Sequence, residues 1–217
     1  MNYGYFDHEK KEYIITNLFT PTKWINYIGT LNFGGFVDHT GGALLCKGDP
    51  ALNRITKYIP QLPASDFKGT SLYLRIRMQD GYDVFSPFFT PSLKKLTSYE
   101  CHVGLGYTTI ISTYNGIQTE ATIFVPTGKD VELRRIKVTN TTNASIAIDA
   151  IPVVEYTHFD ALKQYTNADW VPQTMQSRSS VDGEGFLTLS QFAFMRKERN
   201  INYFTANLAH DSFETDR

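Results

Sequence analysis

Residues 107–125 read YTTIISTYNGIQTEATIFV, two runs rich in Thr, Ile and Tyr on either side of Asn115-Gly116. A type I′ turn needs positive φ at both central positions, and Asn-Gly is the pair that meets this most readily. The stretch is therefore a β-hairpin, and its grammar recurs along the chain. Ser71 to Arg77 sets Leu72, Leu74 and Ile76 on one face and Tyr73, Arg75 and Arg77 on the other. Asp80-Gly81 then turns the chain into Tyr82 to Ser86. Tyr3 to Phe6 and Glu12 to Thr16 form a hairpin across His8-Glu-Lys-Lys11. Val131 to Thr139 and Ser145 to Glu155 read as strands divided by Asn140-Thr-Thr-Asn143, where short polar side chains favour turns. Phe186 to Phe194 pairs with Ile201 to Ala209 across Met195-Arg-Lys-Glu-Arg199, a charge run that reads as a solvated turn. Helix-period segments are nearly absent. The pattern predicts an all-β chain, a large antiparallel β-sandwich forming one domain over residues 1–217.

One segment departs from this grammar. Tyr156 to Ser177, YTHFDALKQYTNADWVPQTMQS, is a polar, aromatic and amide-rich loop longer than any hairpin needs. Loops longer than about 12–15 residues in compact domains are usually functional or disordered, and the aromatic content argues against disorder. Trp170, Tyr165 and His158 offer apolar and aromatic surface, and Gln164, Asn167 and Gln173 offer amides, a combination suited to a sugar. The same composition also fits a loop that Trp170 and Val171-Pro172 pin to the scaffold while the amides face water.

The formal charge of −1 gives no long-range attraction to nucleic acid or to anionic lipid. The opening residues are charged by position seven and carry no long apolar run, so neither a signal peptide nor a membrane span is expected and a cytoplasmic location follows. Cys46 and Cys101 are far apart and lack metal-ligand spacing, which fits two reduced thiols. The five histidines are scattered, so no metal site is expected. Cys101 and His102 are neighbours, and in a strand their side chains would point to opposite faces, which argues against a catalytic dyad. Asp38-His39 lies between the pairs Gly34-Gly35 and Gly41-Gly42 and reads as a turn doublet. The glycine pairs themselves mark sharp bends or close backbone approach, since the spacing lacks a phosphate-loop pattern. Glu155, Asp160 and Asp169 border the long loop, and nothing in the sequence sets any two of them face to face.

Several phrases are familiar together: Tyr3-Gly-Tyr-Phe-Asp7 with Glu12-Tyr-Ile-Ile-Thr16, then Thr20-Pro-Thr-Lys-Trp-Ile-Asn-Tyr-Ile-Gly29, then Asn53-Arg-Ile-Thr-Lys-Tyr58. Ser98-Tyr-Glu-Cys-His-Val-Gly-Leu-Gly-Tyr107 and Asn115-Gly-Ile117 with Phe124-Val-Pro126 follow in order. In this order the chain resembles the N-terminal β-sandwich of the cellobiose, chitobiose and laminaribiose phosphorylases, glycoside hydrolase family 94, across essentially its whole length.

The resemblance implies an enzyme that also has a linker, an (α/α) barrel and a small C-terminal β domain, none of which this sequence encodes, so the chain reads as a fragment or one part of a split enzyme. It implies inverting phosphorolysis of a β-glucoside to α-glucose 1-phosphate, a glycosyltransferase activity, with cellobiose and laminaribiose both open. Inorganic phosphate would be the co-substrate and nucleophile, so one acid suffices and no cofactor is expected. That acid lies on the barrel in the family, and no catalytic residue is carried over to this chain. The implied partners are a β-linked gluco-oligosaccharide, the missing barrel domain and a second copy in a homodimer. In that setting Trp170 would stack on a sugar, with Gln164, Asn167, Gln173, His158 and Tyr165 beside it and Asp160 or Asp169 orienting them. A free-standing carbohydrate-binding module and a purely structural domain are the rival readings.

Overall fold

The computed structural model describes residues 2–160, 163, 166, 172–194 and 201–215. Its centre is a six-stranded antiparallel sheet in the order β1 (Gly4–Asp7), β2 (Glu12–Ile15), β8 (Ser98–Gly104), β9 (Tyr107–Tyr114), β10 (Ile117–Phe124), β11 (Leu133–Asn140). Asn115 at φ 46° and Gly116 at φ 77° make the expected type I′ turn between β9 and β10. The charged β11 closes one edge, where Arg134, Arg135 and Lys137 discourage pairing with another chain.

Two three-stranded sheets lie against this platform. The first runs β12 (Ile148–Val154), β6 (Thr70–Arg77), β7 (Tyr82–Phe85). Leu72, Leu74 and Ile76 of β6 are buried as the alternation requires, and with Phe85 they pack on Ile15, Cys101, Ile110, Tyr114 and Ile117 of the large sheet. Phe85 stacks on Tyr114 with centroids 4.5 Å apart. Pro152 stands opposite Leu72 in β12, an edge strand that can spare an amide donor. The second sheet, β3 (Ile25–Gly29), β4 (Gly34–Asp38) and β5 (Ala43–Cys46), was not legible as strands. It forms a smaller core of Ile28, Val37, Ala43 and Leu45 against Ile123 at the end of β10. Gly34 and Gly35 lie inside β4 at the expected close approach: a Cβ on Gly35 would sit 1.9 Å from the Leu44 carbonyl oxygen.

A third small sheet, β13 (Met175–Val181), β14 (Leu187–Ala193) and β15 (Ile201–Thr205), follows the long loop. The loop is shorter than its sequence suggests. Tyr156 to Phe159 already pair with a neighbouring segment, and Met175, Gln176 and Ser177 belong to β13. Both cysteines are free thiols. Cys101 points into the core and His102 to the opposite face, where it meets Glu12 and Glu100. Among the described residues no helix is long and apolar enough to cross a membrane.

Candidate functional site

The long loop starts from a braced edge. Beyond β5 the chain returns antiparallel through Arg54 to Lys57, where the Ile55 amide donates to the Leu45 carbonyl at 2.8 Å. The Thr56 hydroxyl fastens the same rung, donating to the Ala43 carbonyl at 2.6 Å and accepting from the Leu45 amide at 2.8 Å. Tyr156 to Phe159 add a further rung, with the Thr157 amide on the Ile55 carbonyl and the Arg54 amide on the Phe159 carbonyl. Thr56 and Thr157 are almost fully buried. The entry to the loop is thus an outward extension of sheet β3–β4–β5.

Three of the proposed sugar-contacting residues can be placed. His158 is buried, tilted against Phe159, and its Nδ1 accepts the Asp160 amide at 3.0 Å. Asp160 Oδ1 in turn accepts the Lys163 amide at 3.2 Å, the i to i+3 spacing used by helix N-caps. Gln173 is exposed on the 3-10 turn Pro172–Thr174 that leads into β13. Trp170, Gln164, Tyr165, Asn167 and Asp169 lie outside the described residues. Of the carboxylates bordering the loop, Glu155 is ion-paired with Lys57.

A buried polar knot supports this edge, and it was missed at the level of sequence. Its hub is Asp38, the last residue of β4 and fully buried. Asp38 Oδ1 accepts the Thr40 amide at 2.7 Å, the Thr40 hydroxyl at 2.8 Å and the Gly42 amide at 3.4 Å. Its Oδ2 accepts the Tyr58 hydroxyl at 3.0 Å, and the Lys23 ammonium lies 3.8 Å from Oδ1. A carboxylate engaged by three donors on Oδ1 and one on Oδ2 cements the β4–β5 turn. Burial depresses the Lys23 ammonium and raises the Tyr58 phenol, the latter helped by the Asp38 charge.

Arg134 of β11 ties the knot to the other sheets. It donates to the Gly41 carbonyl at 3.0 Å, the Thr70 hydroxyl at 2.7 Å and Glu132 Oε1 at 2.6 Å. Glu132 Oε2 is buried and accepts no hydrogen bond among the described residues. Burial, with the Glu132 charge as a second cause, raises the Tyr156 phenol, whose hydroxyl donates to the Tyr203 carbonyl of β15 at 2.8 Å. Arg134 therefore links the β4–β5 turn to β6, and Glu132 reaches the first residue of the loop through its charge alone.

Next to the hub, His39 locks Trp24. The Trp24 amide donates to His39 Nδ1 at 3.2 Å and the His39 amide donates to the Trp24 carbonyl at 2.9 Å. The ring proton therefore sits on Nε2, which faces the Leu18 carbonyl at 3.1 Å. Burial holds this imidazole below its ordinary 6.5, against the opposing pull of the Leu18 carbonyl and Asp38. With a depressed folded-state pKa, the unfolded chain takes up the proton first. The stabilisation is complete above the unfolded value near 6.5 and is lost as pH falls below it towards the folded value. Thermal melts of wild type and His39→Gln should diverge in slope between roughly pH 7.5 and pH 5. The wild type should lose more stability than the variant over that window, and parallel slopes would contradict the assignment.

The described residues form no group of three or more His, Cys, Asp or Glu side chains arranged to hold a metal ion. Comparison with known proteins gives the arrangement its context. The model of the "Glycosyl hydrolase 94, supersandwich domain" family matches residues 11–217. The N,N'-diacetylchitobiose phosphorylase of Vibrio proteolyticus is 35% identical over 158 residues, covering 72% of this chain and 19% of that protein. The enzyme of the same name from Vibrio furnissii is 30% identical over 219 residues, covering 100% of this chain and 27% of that protein. Solabiose phosphorylase of Paenibacillus borealis is 28% identical, covering 79% of this chain and 23% of that protein. The chain thus spans 19% to 27% of the length of these curated relatives. With a match over nearly all of its residues and an all-antiparallel sandwich to go with it, the chain belongs to the glycosyl hydrolase 94 family as its supersandwich domain.

Proposed function

We propose that this domain serves an inverting phosphorylase of β-linked disaccharides or short oligosaccharides, lending an acceptor-side wall and dimer contacts rather than the reacting acid. The phosphorylases among its relatives support the reaction class. Inorganic phosphate is the co-substrate in this reading, and a barrel domain elsewhere supplies the proton to the leaving oxygen. The observation that carries the positional part is the braced entry to the long loop. Tyr156 to Phe159 are paired with Arg54 to Lys57 and underpinned by the Asp38 knot. A segment leaving so rigid an edge can hold side chains against a sugar at little entropic cost, because its base is already ordered.

Trp170 is the residue on which the proposal turns, with Gln164, Asn167 and Gln173 as hydrogen-bonding partners of the sugar. In the intact enzyme, Trp170→Ala should raise the acceptor KM about tenfold, the loss of roughly 1.4 kcal/mol of stacking. The change should exceed that in kcat. Unchanged acceptor KM, turnover and dimerisation by analytical ultracentrifugation would sink the assignment.

A further inference from the structure

A cleft of about 500 Å³ opens between β2, β8 and β9 of the large sheet and β3 and β4 of the small one. Its floor is apolar, formed by Ile15, Val37 and Cys101. Tyr13 and Trp24 wall it and belong to a continuous run of rings. Tyr3 meets Trp24 edge-on at 5.5 Å, Trp24 meets Tyr13 at 6.1 Å, and Tyr13 meets Phe6 at 4.8 Å. Two hydrogen bonds to His39, one of them to its ring, hold the Trp24 main chain, and the Tyr3 and Tyr13 rings flank the indole.

The polar groups sort by whether they are spent. Lys23 is engaged by Thr40 and Asp38, and both ring nitrogens of His39 have partners. The two hydrogens of the Asn26 amide nitrogen are shared among the Gly104 and Tyr107 carbonyls and the Thr108 hydroxyl. Among the described residues, Trp24 Nε1, Tyr13 Oη and Asn26 Oδ1 make no hydrogen bond within the protein, and all three residues line the cleft. What remains on offer is one donor, one hydroxyl and one acceptor, all neutral, beside aromatic surface. That set suits a ligand with an apolar face and uncharged hydroxyls, in a space within the range of ordinary ligand sites.

We infer that this cleft is a second carbohydrate site, taking a neutral pyranose against Trp24 and Tyr13 independently of the loop that carries Trp170. A charged sugar is a poorer match, because the neighbouring ammonium is already neutralised by Asp38. An alkyl ligand would leave the three polar groups without partners.

The test uses the intact protein labelled with 5-fluorotryptophan and observed by fluorine NMR, with the Trp24 resonance identified by its loss in Trp24→Phe. Titration with cellobiose and with N,N'-diacetylchitobiose should move that resonance saturably. In Tyr13→Phe, which keeps the ring contacts and removes only the hydroxyl, the midpoint should weaken about fivefold. A Trp24 resonance that stays fixed overturns the inference, as does one that moves equally in both proteins or responds to hexanol but to neither sugar. The Trp170 resonance reports the loop separately, so the two sites can fail one at a time.

Discussion

Replacing Asp38 with alanine should destabilise the protein by about 3–5 kcal/mol, the range for removing one member of a buried, hydrogen-bonded charge set. The size follows from what is left behind. Lys23, whose side chain is 12% exposed, loses its counter-charge, and the Tyr58 hydroxyl and the Thr40 and Gly42 amides lose their acceptor. Each such buried donor costs about 1–3 kcal/mol when unpaired, although the losses overlap. For a chain of 217 residues this corresponds to a fall in melting temperature on the order of 10 °C. Asp38→Asn should do less harm, since one amide oxygen can still accept. Tyr58→Phe, which removes a single bond, should cost only about 1 kcal/mol. Differential scanning calorimetry of the three variants tests this ranking, and an alanine variant as stable as wild type would show that the knot is not held by its hub.

Phe88→Ala is the second large loss expected, about 3–5 kcal/mol for emptying a fully buried aromatic site. Phe88 is 0% exposed and lies where the β4–β5 turn meets the segment after β7. Gly41 packs directly on its ring: a Cβ there would fall 2.7 Å from Phe88 Cγ, and Gly41 holds φ at 78°. Arg134 also lies over the ring, with its Cζ 6.0 Å from the centroid. The ring is therefore a spacer between the turn, β11 and a strained segment in which Phe89 takes φ 71° and Leu93 φ 55°. Gly41→Ala alone should cost about 1–2 kcal/mol for the left-handed backbone and a further 1–3 kcal/mol for the clash. In a Phe88→Ala background the clash disappears, so a double-mutant cycle by urea titration should return a coupling of about 1–3 kcal/mol. A coupling near zero would mean that the ring does not set the turn.

What sequence made legible was local. The β6–β7 and β9–β10 hairpins were readable because alternation and turn chemistry lie within a few residues of each other. Even there, the inward face of β9 could not be chosen from hydropathy: Ile110 is buried and Ile111 is not, while Thr108 and Ser112 point inward beside Ile110. β3, β4 and β5 escaped because Gly34 and Gly35 allowed a sharp bend as readily as a close backbone approach, and the second holds, with both glycines in a strand against Leu44 and Ile28. The knot escaped for a different reason. Arg134 acquires its meaning from partners far along the chain, where a charged residue in an edge strand such as β11 ordinarily faces water, and the local bonds of Asp38 to Thr40 and Gly42 do not announce that it is buried. His158 and Asp160 were visible as polar loop residues, but their hydrogen bonds to the loop's own backbone were not.

The sheet order sets a schedule for synthesis. β6 and β7 form their hairpin early, yet the other side of β6 is filled by β12, and the Arg75–Asp149 pair that spans this joint links residues 74 apart. A ribosome must deliver roughly 75 more residues before that strand edge is covered, and until then it is open to any passing strand. Chaperone dependence during translation should therefore peak between the emergence of β7 and that of β12, and pausing in that interval should lower the yield of folded protein.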